Sequence, residues 1–378
     1  MNKLKVLFAL ALCACVMLIA PNSVPARQQQ QGPQGPPEQP DLTVDAPARN
    51  EVIDNLLKRL NETYVFPETA AKMEQAVRAR LSHGEYDQLT SARKFAEKLT
   101  SDIQEVSHDK HLRVRYSYQP IPVRPAGPRE PTAEEREQFR REMTRINYGF
   151  VKVERLPGNI GYVDFHNFLD PEGGADTVAS VFNFLANTDA IIFDMRKNGG
   201  GDPAMVALIC SYLFGAEPVH LNDLHWREGK GERVEEFWTR KDVAGKRYTG
   251  KDVYVLTSNY TFSGAEEFTY NLKNLKRATI IGETTGGGAN PGGGNRLSEH
   301  FGAFIPTGRA VSPITKINWE GTGVEPDVKV PADQALKTAQ IMALKKAVEK
   351  TTDEELKGAL QHEIEMLQKE TGQAQVKN

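Results

Sequence analysis

The chain has 378 residues, 39% of them hydrophobic, and carries 47 basic against 50 acidic residues for a formal charge of −3. That length suffices for about two domains and a sizeable core. The near-balance of charge excludes the strong basic field of a nucleic-acid groove, so no nucleic-acid partner is expected.

Lys3 and Lys5 precede an apolar run from Val6 to Ala20, and Val24-Pro25-Ala26 offers a small-residue cleavage site. Residues 1–26 therefore have the pattern of a secretory signal peptide. A single membrane anchor competes with this reading, although the run is short for a span. Leu12-Cys13-Ala14-Cys15 is a faint lipoprotein-type site. The expected location is outside the cytoplasm, periplasmic or extracellular. The protein would be either free (secreted) or held at a membrane by a lipid or an uncleaved signal. Removal of the signal leaves Cys210 alone, so core burial rather than an internal disulfide must hold the fold. Cys210 itself lies in an apolar helical run and suits a core position better than a nucleophile's.

Residues 27–46 include QQQQGPQGPPEQP and bury too little apolar surface to offset chain entropy, which makes them a flexible Gln/Pro-rich tether. Residues 47–106 have helical spacing. Val52, Leu56 and Leu60 form one stripe, Met73, Val77 and Leu81 a second, and Phe95, Leu99 and Ile103 a third. Pro67 opens the second helix, and Thr90-Ser91 offers a cap for the third. A small helical N-terminal domain is predicted, with a packing or gating role.

Residues 107–346 form the expected core. Leu112, Val114, Tyr116 and Tyr118 alternate with polar residues as in a half-buried strand, with His111 at its entry. A charged excursion follows near 120–145, with one helix from Ala133 to Met143. Tyr148–Val153 and Ile160–Phe165 are predicted strands joined by a Pro157-Gly158-Asn159 turn. Strands then alternate with helices: Thr177–Ala186 (helix), Ala190–Met195 (strand), Pro203–Leu213 (helix), Val253–Leu256 (strand), Gly264–Leu275 (helix) and Thr279–Ile281 (strand). That rhythm argues an α/β fold. Glycine-rich, strand-like pieces follow, and the chain is helical from Ala332, with 347–378 as a C-terminal helical tail.

Ser263 stands at a strand-to-helix join, where free N–H groups and the positive helix end stabilise an oxyanion. The same residue followed by Glu266 is also an ordinary capping box. Asn198-Gly199-Gly200-Gly201, after a buried strand, is either a donor-rich turn or simply a tight one. Among bases, His111 beside Asp109 is the best placed, with His108, His166 and His300 as competitors. Glu320, in WEGTGVEPD, is a candidate orienting carboxylate or an ordinary loop residue. No metal-ligand spacing such as HExxH or paired CxxC occurs, so neither a metal nor a cofactor is expected.

TFSGAEEF, FDMRKNGGG, IIGETTGGG and WEGTGVEPD together resemble the C-terminal processing (tail-specific) serine peptidase family. The branch is similar to interphotoreceptor retinoid-binding protein repeats and the tricorn core protease. The resemblance implies a ClpP/crotonase-like β-β-α core after the helical domain. It implies that Ser263 is the nucleophile and that Gly264 with Gly199 or Gly200 forms the oxyanion hole. Ser-Lys members carry a lysine where this chain has Gly288, and often an acid where it has Asn274. Ser-His members instead place a histidine in Asp-x-His, matched by Asp109-Lys110-His111, with Glu320 as the carboxylate. No PDZ signature lies between His111 and Tyr162. The expected function is a secreted serine endopeptidase acting on peptide or unfolded protein through a Ser-His-Glu triad. The alternative is a non-catalytic, retinoid-binding-protein-like module for an apolar ligand. Catalysis requires Ser263, His111 and Glu320 to converge, within about 5 Å in an unliganded state.

Overall fold

The computed structural model describes residues 39–123 and 131–375. The signal segment, Cys13, Cys15 and most of the tether lie outside the described residues. Residues from Asp41 onward form one compact unit.

Three helices come first: α1 (Ala46–Thr63), α2 (Pro67–Ser82) and α3 (Ala92–Ser107). Asp45 accepts from Ala48 N–H and Ser91 from Lys94 N–H, so each cap satisfies a donor that the helix start leaves free. The chain continues through β1 (Arg113–Tyr116), α4 (Ala133–Arg145), β2 (Phe150–Leu156), β3 (Ile160–Phe165), α5 (Ala175–Leu185) and β4 (Ala190–Asp194). Next come α6 (Pro203–Leu213), β5 (His220–Glu228), β6 (Gly231–Trp238), β7 (Asp252–Thr257), α7 (Gly264–Asn274) and β8 (Thr279–Gly282). The last elements are β9 (Gly292–Arg296), β10 (Phe301–Pro306), β11 (Gly308–Val311), β12 (Val328–Lys329), α8 (Ala332–Lys350) and α9 (Glu354–Gln375).

The main sheet has the order β12-β8-β7-β4-β3-β2. Its strands run parallel except for the antiparallel β2–β3 pair. Strand β4 is buried at every position because both faces of the sheet are covered. Ile191 and Phe193 point into a core shared with α5, α6 and α7, where Cys210 is also buried. Ala190 and Ile192 point the other way, toward Ala335, Ala339 and Leu344 of α8 and Leu360 of α9.

The helical region packs on a second, three-stranded antiparallel sheet, β1-β10-β9. Val114, Tyr116, Phe301, Ala303 and Ile305 join the stripes of α1, α2 and α3 in one apolar cluster. The charged excursion behaves differently. Thr132 and Glu135 form a capping box at the start of α4, yet α4 buries none of its residues. A third sheet, β11-β5-β6, includes a hairpin with no clear counterpart in the sequence pattern, where His, Asp and Glu interrupt the apolar alternation.

Because β4 and β7 are parallel neighbours, their C-terminal ends lie side by side, which is where open α/β sheets place their sites. The loops after them are laced together. Thr261 Oγ1 donates to Met195 O at 2.8 Å, Ser258 Oγ to Arg196 O at 2.6 Å, and Phe262 N–H to Asn198 O at 3.1 Å.

Candidate active site

Ser263 occupies the N-cap position of α7 with φ 55° and ψ −122°. Ordinary N-caps sit in the β region, and a non-glycine residue at positive φ stores strain that its surroundings must hold. Glu266 is the holding group. Its fully buried carboxylate accepts from Ser263 N–H at 2.9 Å, Gly287 N–H at 2.6 Å, Gly288 N–H at 2.8 Å and the Thr285 hydroxyl. Burial pushes its carboxyl above the usual range, and these donors pull it back. The Glu266 read from sequence as a cap residue therefore also ties the serine turn to the glycine loop after β8.

The turn after β4 lies directly against the serine. A Cβ on Gly200, at φ 98°, would sit 2.6 Å from Gly264 N and 2.7 Å from Ser263 Cβ, so only glycine fits there. Its N–H groups are unequally available. Gly199 N–H donates to His166 O at 3.2 Å and Gly200 N–H to Asn198 Oδ1 at 2.8 Å. The two glycine-turn donors inferred from sequence are thus engaged within the fold. Gly201 lines the cleft beside Ser263, and its N–H, like that of Gly264, has no acceptor among the described residues.

His111 stands across the cleft, with its ring 4.5 Å from Phe262 and 5.8 Å from Phe304, centroid to centroid. Burial, and then the nearby Arg113 charge, push its pKa down to about 4, which keeps the imidazole neutral at pH 7. Asp109 sets the backbone there. Its carboxylate accepts from His111 N–H at 3.0 Å, Asn290 Nδ2 at 3.0 Å and the Tyr64 hydroxyl at 3.1 Å. Tyr64 comes from the end of α1, so the helical region contributes a positioning group as well as packing.

Glu320 accepts from Ala289 N–H through Oε2, while its Oε1 is buried without a partner. Burial, followed by the neighbouring Asp109 charge, pushes its pKa up to about 8. His111 Nδ1 is likewise buried and unpartnered. Donor atoms of Asp109, His111 and Glu320 all lie within 4.8 Å of one another, close enough to surround a cation. Asp109 is already engaged by three donors, however, and an orphan imidazole nitrogen beside an orphan carboxylate oxygen suits a shared proton better.

Ser263 and His111 line one cleft of about 840 Å3, together with Gly199, Gly201, Phe262 and Phe304. The other histidines lie elsewhere. His108 caps α3 in a left-handed conformation, His166 faces Asp164 at 3.0 Å, and His300 Nδ1 meets Ser117 O at 3.0 Å. Gly288, where a lysine base would stand, has no room for a side chain. A Cβ there would lie 2.2 Å from Phe262 Cζ and 2.7 Å from His111 Cε1. The histidine ring fills the space that a lysine would need. Asn274 closes α7 within the fold and does not line the cleft. Sequence reading missed Asn290, Tyr64 and the two phenylalanine rings; Asp109 was legible only as part of Asp-x-His.

Residues 159–330 match the model of peptidase family S41, and residues 46–146 match the N-terminal domain of that family in eukaryotic IRBP. Three solved structures share the fold. A candidate peptidase from Parabacteroides merdae is 18% identical with a TM-score of 0.57, over 80% of this chain and 99% of that one. A lipoprotein from Streptococcus agalactiae is 16% identical with a TM-score of 0.52, over 81% and 99%. Mature CPAF is 12% identical with a TM-score of 0.52, over 80% and 99%.

Proposed function

This chain belongs to peptidase family S41 and is a serine peptidase, and on that premise we propose that Ser263, His111 and Glu320 act as nucleophile, base and orienting carboxylate of an exported endopeptidase. One observation carries the triad: two complementary buried atoms, His111 Nδ1 and Glu320 Oε1, lack partners on residues whose donor atoms lie within 4.8 Å. A hydrogen bond between them fixes the imidazole tautomer that presents its other nitrogen to Ser263.

The Ser263 hydroxyl attacks a peptide carbonyl while His111 takes its proton. Negative charge on the carbonyl oxygen is received by the N–H groups of Gly264 and Gly201, each contributing about 3 kcal/mol. Ionised Glu320 stabilises the imidazolium, which then protonates the leaving amine. Water, activated by the same imidazole, hydrolyses the acyl-enzyme and restores Ser263. The expected substrates are peptides or unfolded proteins, reached outside the cytoplasm by a protein that is free or held at a membrane through its N-terminus.

A fluorophosphonate probe tests the assignment. Mass mapping is expected to find the adduct on Ser263, and Ser263→Ala is expected to abolish both labelling and cleavage of an unstructured peptide. An adduct on another residue, or hydrolysis that survives the replacement, removes the nucleophile.

A second reading draws on the cleft's aromatic lining, which includes Trp226, Phe237, Phe262 and Phe304. Such walls suit an apolar ligand bound without chemistry. Tight binding of an apolar fluorophore by a protein that neither labels nor cleaves would favour it.

A further inference from the structure

The β1-β10-β9 sheet has two unlike faces. Val114, Ala303 and Ile305 point into the helical core, while the outward rows follow from the register. Arg113 lies beside Phe304 and Gly294 in one row, and Arg115 beside Gly302 and Arg296 in the next. Along this face lies a cavity of about 860 Å3 whose lining includes Arg59, Arg115 and Arg296 and, among the described residues, no carboxylate. Arg115 and Phe304 also line the Ser263 cleft, so the two spaces share a wall.

These arginines are unevenly committed. Arg59 faces Glu62 at 3.2 Å, and Arg296 donates one N–H to Ile121 O at 2.9 Å. Arg115 pairs with no carboxylate among the described residues. The cleft lining also carries two carboxylates, Asp202 and Glu235, of which Glu235 is paired with Arg233 at 3.3 Å. The floor is open at Gly294, where a Cβ would meet nothing within 4 Å, whereas at Gly302, between Arg115 and Arg296, Ile121 Cδ1 lies 3.3 Å from where a Cβ would sit.

We propose that this outward face extends the substrate-binding cleft and selects peptides with acidic side chains on the His111 side of the scissile bond, with Arg115 and Arg296 as the carboxylate-binding groups. The inference rests on the peptidase reading and adds a substrate class to it. A guanidinium with unused donors takes a carboxylate through two parallel hydrogen bonds, and the open space over Gly294 leaves room for a peptide backbone. Acidic side chains directed toward Asp202 would meet a like charge instead.

The test compares two fluorescein-labelled unstructured peptides that differ only in a Glu-Glu or Gln-Gln pair beside the cleavage position. Binding to the Ser263→Ala protein is read by anisotropy. The Glu peptide is expected to bind about tenfold more tightly, the effect of one charge-assisted hydrogen-bonded contact. Added salt should narrow the gap. Replacing both side chains, Arg115→Gln with Arg296→Gln, should erase it, and Gly294→Leu should weaken the Glu peptide by filling the groove. Equal affinities for the two peptides, or a gap that persists in the double variant, overturn the inference. Equal binding with cleavage of both peptides by the unaltered enzyme would sink the acidic preference alone. A binding gap with no hydrolysis by that enzyme would instead sink the peptidase reading and leave an acidic-peptide site.

Discussion

Two glutamates, Glu266 fully buried and Glu320 half-buried, grip consecutive residues of the loop after β8. Glu266 holds the N–H groups of Gly287 and Gly288, and Glu320 holds that of Ala289. Burial raises the pKa of both. They differ in what else reaches them. Glu266 also receives Ser263 N–H and the Thr285 hydroxyl, whereas Glu320 retains one buried oxygen with no partner. The first carboxylate is a finished clamp and the second is left open toward an imidazole. Donor supply, rather than residue type, separates a carboxylate that holds a turn from one that can share a proton.

The largest effect should come from the base itself. His111→Ala is expected to lower kcat/KM about 10^4-fold, the scale of a lost triad member. His108→Ala, at the exposed end of α3, should retain the original rate. Peptide kinetics that reverse this order would reassign the base.

Glu320→Gln should follow, with a fall of about 10^3-fold. The carboxylate form increases as pH rises through about 8, so kcat/KM of the unaltered enzyme should climb through that value. The variant should lose that limb. Stability should move in the opposite sense. A folded-state value of about 8 against an ordinary 4.5 means that the fold binds this proton more tightly. That contribution is complete below pH 4.5 and is lost as pH passes 8, so Glu320→Gln should flatten the alkaline decline in urea midpoint. His111 acts in reverse. Its contribution is complete above pH 6.5 and disappears as pH falls through about 4.

Glu266→Ala tests the clamp by stability. It strands three backbone N–H groups and a hydroxyl, so urea unfolding should show a loss of about 3 kcal/mol or more. Glu320→Ala strands one N–H and should cost about 1 kcal/mol. Equal losses would erase the distinction between the two carboxylates. The smallest effect is expected for Gly288→Ala, whose methyl group must displace Phe262 or His111. A drop of about tenfold in kcat/KM, with the protein still folded, would fit a displaced base.

Much of the architecture was legible before any coordinates. The stripes of α1, α2 and α3, the cap at Ser91 and the proline start at Pro67 follow helical spacing and end chemistry. The apolar run from Ala190 to Phe193 in β4 signalled a strand covered on both faces. The β5–β6 hairpin was not legible, since its half-exposed strands carry charged residues at positions that blur the two-residue period. Neither was Gly288's confinement, because the rings that impose it come from β10's neighbours and the serine turn rather than from its own loop.

By itself, the sequence determined the order of elements, the apolar faces and the placement of a serine at a strand-to-helix turn, because side-chain periodicity and end chemistry act over a few residues. Tertiary structure alone decided which groups are free to react. Gly200 N–H is spent on Asn198, Gly201 N–H is not, and Asp109 is held by Asn290 from 181 positions away. Hydrogen-bond partners at such separations are chosen by how the sheets and loops pack, and no local pattern records that choice.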